Sequence, residues 1–190
     1  MLKIAIIIGS TRPGRKGEAV GQWTYDIARK RNDAEFELVD VADFNLPLLD
    51  EPIPAMFGQY SHDHTRAWSA KIASFDGYVF VTPEYNHGAC AALKNAIDFL
   101  YQEWTNKAAG FVAYGGTMGA RAVENLRLVM AELQVATVRA QVGLSLFTDF
   151  EDFTVFKPAE MQEKNVNAML DQVIAWSDAL RSLRDKGDSH

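Results

Sequence analysis

Short apolar runs alternate with longer amphipathic stretches along the chain, and that alternation predicts most of the fold. Residues 2–8 (Leu-Lys-Ile-Ala-Ile-Ile-Ile) are nearly all apolar and rich in isoleucine, and Gly9 stops the run. A run without a polar face predicts a strand buried on both sides. Over residues 17–30, Val20, Trp23, Ile27 and Ala28 recur at helical spacing and predict a first helix with one apolar face. Residues 36–41 predict a second strand. A long connection follows over 42–64, punctuated by Pro47, Pro52 and Pro54. Residues 65–75 predict a helix with Ala67, Trp68 and Ile72 on one side. Residues 77–82 predict a third buried strand, which Pro83 is expected to end. Further helices are predicted over 91–101, 121–133 and 165–183, and further strands over 108–114 and 137–146. Trp23, Trp68 and Trp176 fall at core-facing helical positions.

Strand and helix thus alternate five times. Parallel strands need right-handed crossover helices, so the pattern predicts a three-layer α/β sandwich. Five strands in 190 residues favour a flavodoxin-like parallel sheet of order 2-1-3-4-5 over an eight-stranded barrel, which needs ~250 residues. The expected organisation is a single domain over residues 1–184 with a polar tail over 185–190. Apolar residues at 48 % exclude wholesale disorder. A formal net charge of −6 argues against nucleic acid or an anionic membrane surface as the main partner. The sole cysteine, Cys90, excludes an internal disulfide, a cysteine-based zinc site and a dithiol redox centre. Redox chemistry in this chain therefore has to be carried by a cofactor. No apolar run approaches the ~20 residues that span a bilayer, and no signal-peptide pattern opens the chain, so no membrane insertion and a cytoplasmic location are expected.

In such a sheet ligands bind beyond the carboxyl ends of the strands, near the point where strand order reverses. Three loops open there. The first, residues 9–17 (Gly-Ser-Thr-Arg-Pro-Gly-Arg-Lys-Gly), has what a phosphate monoester needs. Ser10 and Thr11 offer hydroxyls, Arg12 a guanidinium fork, the next helix its free amides, and Gly9, Gly14 and Gly17 room for the backbone to turn. Neither the Gly-x-x-x-x-Gly-Lys-Ser/Thr nor the Gly-x-Gly-x-x-Gly fingerprint is present. The second loop, residues 83–88 (Pro-Glu-Tyr-Asn-His-Gly), suits the edge of a planar heteroaromatic ring. Tyr85, Asn86 and His87 give it a flat apolar surface and amide-type groups, and Gly88 conformational freedom. Glu84 reads as a functional carboxylate or, nearly as well, as a solvated or helix-capping one. The third, Gly115-Gly116-Thr117-Met118-Gly119, is nearly free of side chains and would let peptide N–H groups meet ring carbonyls. His62-Asp63-His64 reads as solvent-facing or capping, so no metal site is expected, and Cys90 reads as core.

These residues resemble the NADPH-dependent FMN reductase family, flavodoxin-like proteins that include quinone, azo-dye and metal-oxyanion reductases. The resemblance rests on Gly9-Ser10-Thr11-Arg12, on Thr82 to Gly88 with Leu93-Lys94-Asn95-Ala96-Ile97-Asp98 behind it, and on Gly115-Gly116 with Gly119 and Arg121. It spans roughly residues 2–146. It implies FMN as cofactor, NADPH or NADH as co-substrate, and a quinone, free flavin or similar small molecule as acceptor. By position, Ser10, Thr11, Arg12 and Gly17 are implied on the phosphate side. Pro83, Glu84, Tyr85, Asn86 and Gly88 are implied at the isoalloxazine ring, and Gly115, Gly116 and Thr117 at its pyrimidine side. No side chain need act as acid or base, because the flavin carries the hydride. Arg15 and Lys16 are candidates for selecting the phosphorylated nicotinamide or, equally, surface residues that serve solubility. A homodimer or homotetramer is implied, and Trp104 with Phe99, Leu100 and Tyr101 is the expected seam. A one-electron carrier and a non-catalytic flavin sensor are the competing readings.

Overall fold

The isoleucine-rich run forms the middle of a parallel sheet. The computed structural model describes residues 1–187, with side chains through Asp185. In chain order the elements are β1 (Lys3–Ile8), α1 (Gly17–Ala28), β2 (Glu35–Asp40), α2 (Asp63–Ala73), β3 (Gly77–Tyr85), β4 (Gly88–Ala89), α3 (Ala91–Asp98), β5 (Ala108–Gly115), α4 (Ala120–Glu132), β6 (Ala136–Thr137), β7 (Val142–Ser145), β8 (Phe150–Glu151), β9 (Val155–Phe156) and α5 (Met161–Gly187). The main sheet runs β2-β1-β3-β5-β6, with β7 also parallel to β5, which is the expected 2-1-3-4-5 order with the fifth strand in two pieces.

Alternation along each strand divides the core. Ala5, Ile7, Tyr78, Phe80 and Phe111 face α2, α3 and α4, where Trp68, Ile97 and Leu126 meet them. Ile4, Ile6, Val79, Val81 and Val112 face α1 and α5, against Val20, Ile27, Met169 and Val173. Both faces are dry, so the strands need no polar alternation. Among the described residues, no helix is long and apolar enough to cross a membrane.

Several boundaries differ from expectation, each for a local reason. β3 runs through Pro83 to Tyr85. Its pairing with β1 ends at Val81, so Pro83 sits where one flank carries no ladder and its missing N–H is harmless. The fifth strand breaks because residues 137–142 span five steps while residues 109–112 of β5 span three. In the gap, side chains replace the ladder: Arg127 donates to the Val138 carbonyl at 2.8 Å, and the Ala140 amide donates to Gln172 at 2.9 Å. α3 stops at Asp98 rather than at 101, and the Ala96 and Ile97 carbonyls accept the indole N–H groups of Trp68 and Trp104 at 2.8 and 3.1 Å. α5 continues to Gly187, past the expected end at 183; residues 188–190 of the expected tail lie outside the described residues.

Two aromatic assignments are corrected. Trp176 is 48 % exposed, because Val166, Met169, Leu170, Val173 and Ser177 make the buried stripe of α5 and Trp176 stands beside it. Trp104, Phe99 and Leu100 are buried within the chain itself, and Trp104 packs edge-on to Tyr78 with ring centroids 4.9 Å apart. Trp104 and Phe99 are enclosed by the fold, and of the expected seam Tyr101 is the half-buried member that, with the edge of Leu100, borders a surface groove.

Lys107 is buried among these rings, donating from Nζ to Tyr78 Oη at 2.9 Å and to the Ile72 and Ala73 carbonyls at the end of α2, both at 3.3 Å. Burial, with the nearby Arg184 charge, pushes its pKa from 10.5 down to about 8. Between those values the unfolded chain holds the extra proton, so this group makes stability rise with pH across that window. Relative to Lys107→Met, the unfolding free energy should climb by roughly 3 kcal/mol from below the lower value to above the upper one. Urea titrations at several pH values read this directly, and a pH-independent difference would contradict it.

Candidate functional site

β1, β3 and β5 lie side by side, so the loops after them open on one edge of the sheet. A cavity of about 110 Å³ lies between them, lined by Arg12, Gly14, Arg15, Lys16, Pro83, Glu84, Tyr85, Tyr114, Gly115 and Leu146.

The first loop starts tight against α3. A side chain at Gly9 would bring its Cβ within 2.8 Å of Leu93, and the Gly9 amide donates to the Val81 carbonyl at 2.9 Å. Ser10 is buried, its Oγ 3.3 Å from Tyr85 Oη and accepting from the Arg12 amide at 3.4 Å, so it links the first loop to the second. The basic residues have distinct duties. Arg15 donates to the Ser10 carbonyl at 2.8 Å, to Glu18 at 2.7 Å and to Asp40 at 2.6 Å, which folds it back over the loop. Burial raises the Asp40 pKa, although the Ala42 amide and Arg15 pull it the other way. Arg12 is exposed, lines the cavity and makes no ion pair among the described residues. One guanidinium builds the loop and the other is uncommitted. Thr11 borders a separate cavity with Ala42, Asn45, Leu46 and Asn95.

The second loop is a hairpin. Tyr85 pairs with Gly88 and Glu84 with Ala89, and the two turn residues between, Asn86 and His87, have φ of 49° and 73°. Positive φ at both positions is what a type I′ turn requires. The conformational demand therefore falls on Asn86 and His87, and Gly88, paired in β4, carries none of it. Glu84 is the clasp between loops: its carboxylate accepts from Thr117 Oγ1 at 2.9 Å and from the Arg121 amide at 3.1 Å, and it pairs with the Arg121 guanidinium. Burial alone would raise its pKa, but the hydrogen bonds from Arg121 and Thr117 hold it below the usual value. The capping reading of Glu84 is thus the observed one for its side chain, and Arg121, which the resemblance does not place at the flavin, is its partner.

In the third loop Gly116 and Thr117 are exposed, and their amides have no partner among the described residues. Met118 and Gly119 both have positive φ, at 57° and 68°, and turn the chain into α4. Ala120 opens that helix with ordinary backbone geometry.

Tyr114, at the end of β5, reads as core in the sequence because it stands in an apolar strand, but it lines the cavity. Its hydroxyl is buried and unpartnered among the described residues, and burial raises its pKa. The other chemistry-bearing residues lie elsewhere. His62 and His64 stack at 5.1 Å over Asp50, and no group of metal-ligating side chains occurs among the described residues. Cys90 is core, with its thiol pKa raised by burial.

Known proteins bear on this edge directly. The chain is 43 % identical over 159 residues to an NAD(P)H-dependent FMN reductase of a Nectria species, covering 78 % of this chain and 79 % of that one. It is 33 % identical over 119 residues to a 2-hydroxy-1,4-benzoquinone reductase of a Burkholderia species, covering 63 % and 58 %. Among solved structures it resembles a flavoenzyme NAD(P)H:(acceptor) oxidoreductase of Paracoccus denitrificans, with a TM-score of 0.72 at 18 % identity over 94 % of this chain and 98 % of that one, a likeness of fold. Residues 2–149, which carry all three loops, match the family model for NADPH-dependent FMN reductase, and the chain belongs to that family.

Proposed function

We propose that this chain is an FMN-dependent NAD(P)H oxidoreductase that passes reducing equivalents to a quinone, free flavin or similar small acceptor. The observation that carries the reading is the uncommitted Arg12 guanidinium on a cavity of about 110 Å³ at the switch point of the sheet. Whole-ligand pockets run ~300–1,000 Å³. This volume matches a phosphate and the start of its carrier chain, with the ring on the open edge between the second and third loops.

Bound FMN would supply the two-electron chemistry between nicotinamide and acceptor. The protein's residues bind and orient. Arg12, the free amides at the start of α1, and Ser10 with Gly17 would hold the phosphate. Pro83, Tyr85, Asn86 and Gly88 would border the ring. Glu84 would act through its clasp on Thr117 and Arg121, keeping the second and third loops at a constant separation. The amides of Gly116 and Thr117, with Gly115 beneath them, would meet the pyrimidine edge, where amide donors favour added negative charge. Thr11 belongs to the same phosphate set by its place between Ser10 and Arg12, while it also borders another cavity. Arg15, committed to Asp40 and Glu18, is unsuited to recognise a nicotinamide phosphate, which leaves Lys16 for that task.

The acceptor class rests on the quinone-reductase relative, and the cytoplasm on its supply of reduced nicotinamide. Self-association would use the groove beside α3, where Pro54, Ala55, Met56, Leu100, Tyr101, Val129 and Leu133 are apolar and Lys94, Asp98 and Glu132 are charged, a face that the buried Trp104 does not reach.

The test is a visible spectrum of the purified protein with FMN, taken before and after anaerobic NADPH, followed by 1,4-benzoquinone. Bound flavin should bleach within seconds and recover on quinone addition. Flavin that binds and stays oxidised would point to the carrier or sensor, and absence of flavin binding would overturn the reading.

A further inference from the structure

Tyr114 is built as though its hydroxyl had a partner that the protein does not provide. The ring packs on the α1 and α5 face of the sheet, 6.1 Å from Phe150, and only 4 % of the residue is exposed. A phenylalanine would fill that space equally well. Four of the five other tyrosine hydroxyls have protein partners: Tyr60 on Glu103, Tyr78 on the Ile72 and Glu103 carbonyls, Tyr85 on Ser10 and Tyr101 on the Glu132 carbonyl. Tyr114 Oη has none among the described residues. A buried hydroxyl left unpaired is unfavourable, and native proteins rarely keep one without use.

Its position suggests the use. Tyr114 lines the same small cavity as Arg12, Gly14, Arg15 and Lys16. A Cβ placed on Gly17 would stand 3.1 Å from the hydroxyl oxygen, so Tyr114 Oη lies directly under the first turn of α1. The amides of that turn have no intrahelical acceptors, and the helix runs for 12 residues, long enough for its N-terminus to favour an anion. Gly17, without a side chain, leaves the hydroxyl and those amides next to one another. A neutral donor beneath, helix amides beside and an exposed guanidinium above make a three-sided cradle.

We propose that Tyr114 is a phosphate-binding residue, its hydroxyl donating to the FMN phosphate from the floor of the first loop. The assignment rests on the reading of this edge as an FMN site and adds a contact that comes from the strand instead of the loop. It also accounts for the tyrosine: the ring belongs to the core and the hydroxyl to the ligand.

The experiment compares wild type and Tyr114→Phe by flavin fluorescence quenching with FMN and with riboflavin, which lacks the phosphate. The variant should bind FMN about tenfold more weakly, the scale of one hydrogen bond to a charged acceptor. Riboflavin affinity should not change. Thermal melting of the apoprotein should be unaltered or slightly higher, since the lost hydroxyl had no protein partner. Inorganic phosphate should raise the melting temperature of wild-type apoprotein and raise that of the variant less. Unchanged FMN affinity would overturn the proposal, and so would an equal loss for riboflavin, which would move the contact to the part the two flavins share. Failure of wild type to bind FMN would instead overturn the cofactor reading, so the two failures are distinguishable.

Discussion

Gly119→Ala should lose about 3–5 kcal/mol of stability, while Gly14→Ala should lose only about 1 kcal/mol, although both glycines have φ of +68°. The shared left-handed conformation accounts for the smaller figure, since it disfavours any residue with a Cβ. The difference comes from what that Cβ would meet. At Gly14 there is nothing within 4 Å. At Gly119 it would lie 2.4 Å from Ala113 Cβ and 2.9 Å from both the Ala113 carbonyl carbon and the Tyr114 nitrogen. Those atoms belong to β5, which is paired with β3 on one side and β7 on the other, so the strand cannot yield. The turn must move instead, and with it the Arg121 amide and guanidinium that hold Glu84. Urea denaturation of the two variants reads the contrast, and equal losses would show that the close approach of the third loop to β5 is not as described.

Much of this was legible in the chain because it is local. A run such as Ile4 to Ile8, short, β-branched and stopped by Gly9, reads as a strand buried on both faces, and loops that follow such strands emerge on one edge once the strands are parallel in one sheet. What stayed hidden depends on residues far apart in sequence. Arg12, Arg15 and Lys16 look alike in a basic loop; only Asp40, brought over by β2 lying beside β1, separates the guanidinium that builds the loop from the one that serves it. Glu84 reads as functional or, nearly as well, as capping until Arg121 arrives at the start of α4. Gly88 looks like the strained position of its loop, yet the hairpin register puts the strain on Asn86 and His87. Tyr114 was invisible because its pattern is that of the core, and an unpaired hydroxyl has no signature in sequence. Trp104 reads as a seam residue because Phe99, Leu100 and Tyr101 would put apolar side chains on adjacent faces of one helix, but α3 ends at Asp98 and Trp104 is fully buried.

Arg12→Ala should weaken FMN binding about ten- to a hundredfold, the range for hydrogen bonds between charged groups, and leave the apoprotein as stable as wild type. The two halves of this expectation come from one fact. Arg12 is exposed and has no ion-pair partner among the described residues, so the folded protein loses nothing when the side chain is removed. Arg15→Ala serves as the contrast. It would strip the Ser10 carbonyl of a donor and leave Asp40, a carboxylate already burdened by burial, without its cation. That variant should melt lower than wild type before any flavin is added, and it should lose FMN affinity only through the disturbed loop. Riboflavin separates the effects further: Arg12→Ala should bind it like wild type, because its only missing contact is to the phosphate, whereas a deformed first loop also shifts Ser10 and its Tyr85 partner and so reaches the ring side. Salt gives a last discriminator. The advantage of wild type over Arg12→Ala should shrink as ionic strength rises, since an exposed guanidinium acts across solvent and is screened. An Arg12→Ala protein with unchanged FMN affinity, or one that melts as low as Arg15→Ala, would mean that the division of labour between the two arginines is wrong.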